Sequence, residues 1–138
     1  MDKTQVKAEF NILSTELSVE QMILILGFTG DSIGDKSDVL KNGRLRGQSF
    51  IELCTEYENS LDIFEQYNKL LIKIKKIKET LLNALETGKL TYHFCIVIKI
   101  ENGETPAMTL NSELINLLHE LRSEIEFDTY ANPYNSEE

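Results

Sequence analysis

The sequence predicts an α+β fold of the ferredoxin-like, split βαβ kind: a four-stranded, mostly antiparallel sheet packed with helices, plus one extra long helix. Three observations carry this. Residues 5–14, 49–57, 90–100 and 124–130 alternate apolar and polar side chains, the period of a half-buried strand. Between them lie stretches whose apolar residues recur at i, i+3, i+4 and i+7, the period of an amphipathic helix. Leu17-Ser18-Val19-Glu20 is answered by Leu110-Asn111-Ser112-Glu113, as if two βαβ units had been duplicated and interleaved. With 138 residues, 41% of them hydrophobic, the chain can bury one core, so one domain is expected over 1–131. Residues 132–138 then form a disordered acidic tail.

In the first strand Val6, Ala8, Phe10 and Ile12 share one face, and Lys7, Glu9 and Asn11 the other. A helix comes next, capped by Ser18 with Gln21 three positions on, bearing Val19, Met22, Ile23 and Leu26, and stopped at Gly27. Residues 28–48 are polar and hold Gly30, Gly34, Gly43 and Gly47, which reads as a long loop, either mobile or a binding loop. The second strand turns Ile51, Leu53 and Thr55 inward and Phe50, Glu52, Cys54 and Glu56 outward.

Residues 60–87 form the longest helix, with Phe64, Tyr67, Leu70, Leu71, Ile74, Ile77, Leu81 and Leu85 in one stripe and Lys69, Lys73 and Lys76 opposite it. Gly88 ends it. In the strand after it, Tyr92, Phe94, Ile96 and Ile98 point inward and His93, Cys95, Val97 and Lys99 outward. Asn111 caps a third helix with Leu114, Leu117, Leu118 and Leu121 on one face. The last strand places Ile125 and Phe127 inward and Glu124, Glu126 and Asp128 outward, so Phe10, Phe94, Ile96 and Phe127 are expected in one core.

The net charge is −9, spread as −4 over residues 1–59, +3 over 60–100 and −8 over 101–138. A surface so acidic does not neutralise phosphate or sit on an anionic membrane, which argues against nucleic acid and membrane as partners. No stretch reaches the length of an apolar membrane span and no signal peptide opens the chain, so a cytoplasmic protein is expected. Cys54 and Cys95 lack CxxC spacing and are expected to be reduced thiols.

Chemistry-bearing motifs are weak. Gly34-Asp35-Lys36-Ser37 puts an aspartate between glycine and lysine with no helix after it, unlike a phosphate loop. Asp31, Asp35 and Asp38 lack the spacing of a calcium loop. The lysines of the long helix, without interleaved aromatics, read as a solvated face. His93 and Cys95 point the same way from one strand, but two residues are too few for a metal centre, and neither cofactor nor metal is expected. Glu9, Glu52, Cys54, Glu56, His93, Cys95, Glu124, Glu126 and Asp128 nevertheless project from a common open face.

The opening strand, cap and helix ending in Leu26-Gly27-Phe28, the aromatic-led strand Phe50-Ile51-Glu52-Leu53, the long helix after it and the closing Asp128-Thr129-Tyr130 together resemble an uncharacterised bacterial family, the domain of unknown function 4279. The resemblance covers most of the chain and implies no catalytic residues.

These observations favour a non-enzymatic domain that binds another protein with a basic surface. Its sharpest version is an immunity or inhibitor protein for a basic toxin or effector, by analogy with other small acidic proteins. Glu124, Glu126 and Asp128 would steer the partner, and Phe50 and Tyr130 would anchor it. The alternative is small-ligand or metal binding on the open sheet face. A regulatory module assembled as a homodimer through sheet edges or helix stripes is a third possibility.

Overall fold

Strict alternation makes β1 (Gln5–Ser14) and β5 (Thr91–Ile100) two ten-residue strands that pair antiparallel at the centre of the sheet. The computed structural model describes residues 3–132. Between and after these strands come α1 (Val19–Leu26), β2 (Ser32–Gly34), β3 (Ser49–Cys54), β4 (Glu58–Asn59), α2 (Phe64–Lys76), α3 (Lys78–Leu85), α4 (Ser112–Glu120) and β6 (Glu124–Ala131). The sheet has six strands in the order β2-β3-β1-β5-β6, with β4 beside β1. All pairs are antiparallel except β5 and β6.

One face of this sheet is covered. The buried residues of the helices, including Met22, Tyr67, Leu70, Ile74, Leu81, Leu114 and Leu118, form one cluster with Val6, Ala8, Phe10 and Ile12 of β1 and Tyr92, Phe94, Ile96 and Ile98 of β5. The Phe10 ring stands 5.5 Å from that of Tyr92 and 6.4 Å from that of Phe94. Buried hydroxyls are satisfied: Tyr92 donates to the Leu81 carbonyl at 2.6 Å. Tyr67 donates to the Thr109 carbonyl and accepts from the Asn111 N–H, tying α2 to the entry of α4.

Both expected caps form. Ser18 accepts from the Gln21 N–H while the Gln21 side chain accepts from the Ser18 N–H, and Gly27 ends α1 in the left-handed region. Asn111 accepts from the Leu114 N–H at the start of α4. The echo between these two segments stops at the caps. The α1 connection joins antiparallel neighbours, whereas α4 joins the adjacent parallel strands β5 and β6. A split βαβ unit needs a strand between its parallel pair, and here the pair is contiguous. The sheet therefore departs from the expected four-stranded ferredoxin-like order.

Three further expectations are corrected. The long helix is two helices, broken at Ile77, whose φ of −113° and ψ of 13° leave the helical region. A straight helix over 60–87 would run about 42 Å. A ten-residue strand spans only about 33 Å. The break lets Ile77, Leu81 and Leu85 stay on the core instead of overshooting it. The segment 28–48 is not structureless: β2 pairs with β3, and Val39 bridges Leu45 in a small hairpin. Gly34 permits this, because a Cβ there would lie 2.3 Å from the Phe50 ring.

Phe127 is the third. It lies in register with Ile96 on the helix side, yet it is 39% exposed, because along β6 only Ile125 packs against the core. The expectation of a disordered tail falls on 133–138, outside the described residues. Asn132 itself donates its N–H to the Ile100 carbonyl at 3.0 Å. Among the described residues no helix is long and apolar enough to cross a membrane.

Candidate functional site

The uncovered face of the sheet collects the residues that carry charge. Register fixes its rows: Glu52, Asn11, His93 and Glu124 lie across β3, β1, β5 and β6, and Cys54, Glu9, Cys95 and Glu126 form the next row. Lys7, Val97 and Asp128 come after them, then Gln5, Lys99 and Tyr130. The face expected from parity thus assembles, with one exchange. Between Cys54 of β3 and Glu58 of β4 the chain carries one residue more than the facing stretch of β1, a bulge. Thr55 turns inward there, donating its N–H to the Ala8 carbonyl and accepting the Ala8 N–H on its hydroxyl.

The bulge reverses the parity of the residues beyond it, so Tyr57 rather than Glu56 joins Lys7 and Lys99. The two ammonium groups lie 4.8 Å and 4.0 Å from the Tyr57 ring centre. Nothing in the apolar pattern announces a bulge, which is why sequence reasoning missed Tyr57. Farther along, Gln5, Asn59, Lys99, Glu101, Tyr130 and Asn132 line an open polar depression of about 730 Å³ at the end of the face.

The field on this face is negative. Glu52 has its acidity weakened, first by burial and then by the Glu9 carboxylate. Burial, then the charges of Glu9, Asp128 and Glu126, push the Cys95 thiol up to about 11. Cys54 shifts the same way, by burial and then by Glu52. Thiols so shifted stay protonated at neutral pH and are poor nucleophiles. They also stand two strands apart, about 9.5 Å, too far for a disulfide. The Tyr130 hydroxyl donates to Asp128 at 2.9 Å, which raises its pKa.

Opposing charge is limited. Lys7 reaches Glu9 at 3.2 Å. His93 Nδ1 stands 3.5 Å from a Glu124 carboxylate oxygen and 3.6 Å from one of Glu126. Of the residues expected to meet a partner, Glu124, Glu126, Asp128 and Tyr130 share this face on β6, a strand paired on one side only among the described residues. Phe50 also faces outward, but its row is that of Leu13, at the opposite corner from Tyr130 and about 30 Å away by strand spacing and rise. The Arg46 guanidinium covers its ring at 5.0 Å. The two aromatics cannot anchor one small contact.

Comparison with curated proteins and with solved structures yields no match. A family of domains of unknown function, DUF4279, matches residues 4–132, a span that begins just before β1 and ends just after β6. The chain belongs to that family.

Proposed function

We propose that this is a non-catalytic, cytoplasmic protein-binding domain that takes a partner with a basic surface along β6 and the neighbouring part of the open sheet face. The observation that carries the reading is the state of β6: eight residues long, paired among the described residues on one side only, with Glu124, Glu126 and Asp128 on the open face. An edge strand offers backbone donors and acceptors to an added strand, and carboxylates decide which strands are welcome. A second copy pairing through β6 would bring two acidic rows together, so the charge selects against a homodimer there and in favour of a cationic partner. The other edge, β2, is only three residues long.

Tyr130 supplies an aromatic at the end of the acidic row, beside the polar depression. Phe50 sits too far away to serve the same contact, so the anchoring role narrows to Tyr130. Inhibition of a basic toxin or effector is the sharpest form of this reading, and the support for it is the acidity of the face alone.

The test is a crosslinking capture from the native host, run side by side with wild type and the variant Glu124→Gln, Glu126→Gln, Asp128→Asn. A basic protein held by wild type at low salt, lost with the variant and lost at high salt, supports the reading. Identical capture by both proteins contradicts it.

A further inference from the structure

Three potential ligand atoms converge on the open face in a way the partner reading does not require. The parallel pairing of β5 and β6 sets His93 opposite Glu124 and two residues from the Cys95–Glu126 pair, the next row on the same face. Ligand atoms of His93, Glu124 and Glu126 all lie within 4.8 Å of one another. The imidazole Nδ1 is 3.5 Å and 3.6 Å from the two carboxylates. Two carboxylates gathered this closely around a ring nitrogen make a compact, negatively charged set of donor atoms that suits a cation.

We infer that His93, Glu124 and Glu126 form a divalent transition-metal site of the zinc type. Donors bound to tetrahedral zinc at about 2.0–2.2 Å are separated by about 3.3 Å. The two nitrogen-to-oxygen separations are already within a few tenths of an ångström of that value. Small rotations of the exposed glutamates close the remainder, while the ladder holds the three backbones in place. The ring nitrogen selects the metal: magnesium and calcium prefer all-oxygen shells, whereas zinc accepts imidazole with carboxylate. Two carboxylates neutralise the ion. Three protein ligands leave a coordination position facing solvent, open to water or to a donor from another molecule. Cys95, in the neighbouring row, is not one of the three.

The site shares Glu124 and Glu126 with the proposed partner surface but does not rest on it, so its test uses the isolated chain. Chelator-treated protein is titrated with zinc chloride against a chromophoric competitor, and with cobalt chloride for its visible absorption. One equivalent of zinc should bind, and cobalt should give the intense bands of a four-coordinate site. His93→Ala, and separately Glu124→Gln with Glu126→Gln, should each weaken zinc binding by more than about tenfold. Circular dichroism confirms that the variants fold. Magnesium should not compete. Zinc binding no tighter in wild type than in His93→Ala, or equal competition by magnesium, would overturn the assignment and leave the partner reading untouched.

Discussion

Along β1, Val6, Ala8, Phe10 and Ile12 are fully buried beneath the helices, whereas Lys7, Glu9 and Asn11, each one residue away, stay half-buried on the open face. The same division runs down β5, with Phe94 and Ile96 on one side and His93 and Cys95 on the other. On the covered face the buried side chains are mostly apolar, and the buried hydroxyl of Tyr92 has its partner. On the open face burial and the neighbouring carboxylates raise the pKa of Glu52 and Cys95. Such an arrangement costs stability rather than adding it. The fold thus keeps its cohesive residues and its charged residues on opposite faces, one residue apart along each strand.

The largest expected effect breaks the covered face. Truncating Phe94 to alanine removes a fully buried ring that stands beside Phe10 on the covered face and should cost about 3–5 kcal/mol, close to the whole stability of a marginal domain. Phe127→Ala, on the same side of the sheet but at its uncovered edge, should cost about 1 kcal/mol or less. Urea unfolding of the two variants measures the contrast, and equal losses would show that the edge is as well packed as the centre. Next in size, Tyr92→Phe keeps the ring but leaves the Leu81 carbonyl without its donor, and should lower stability by about 1 kcal/mol in the same assay.

Acid separates the charged groups by sign. Asp35 accepts from the Ser37 hydroxyl and N–H and from the Val19 N–H at the start of α1, and these bonds lower its pKa from 3.8 to about 2. Its contribution is complete above 3.8 and is lost as pH falls toward 2. Glu52 runs the other way. Its folded pKa lies above the ordinary 4.5, so the native state loses stability as pH rises through that region. Asp35→Asn should therefore flatten the acid limb of a stability–pH curve, and Glu52→Gln should raise stability at neutral pH with no gain below about 4.5. A Glu52→Gln variant less stable than wild type at neutral pH would show that its carboxylate supports the fold.

The parts of this architecture legible in sequence were those where local pattern and tertiary role agree. Alternation located β1, β5 and β6 and assigned His93, Cys95, Glu124, Glu126 and Asp128 to one face, and Ser18, Gly27 and Asn111 marked helix ends by their own hydrogen bonds and dihedral angles. What escaped depended on partners distant in sequence. β2 is three residues held by β3 and by the fit of Gly34 under Phe50. The break at Ile77 lies within an unbroken apolar stripe, with no glycine or proline to announce it. The bulge after Cys54 arises from Thr55 bonding to Ala8, which no period reveals, and it exchanged Glu56 for Tyr57 on the open face. Phe127 had the right parity, but parity names a side of the sheet and not whether a helix covers it.

The central claim is that the carboxylates of β6 are held for recognition and not for the fold. Chemical denaturation with urea of Glu124→Gln, Glu126→Gln, Asp128→Asn beside wild type, at about 0.01 M and about 0.5 M salt, tests this without any partner, because the two concentrations bracket strong and weak screening. The account predicts a variant at least as stable as wild type, ahead by a few tenths of a kcal/mol at low salt as repulsion is relieved, with the difference closing at high salt. A variant less stable than wild type at low salt would mean that Glu124, Glu126 and Asp128 serve the sheet through His93 and their neighbours, and the open face would be structural.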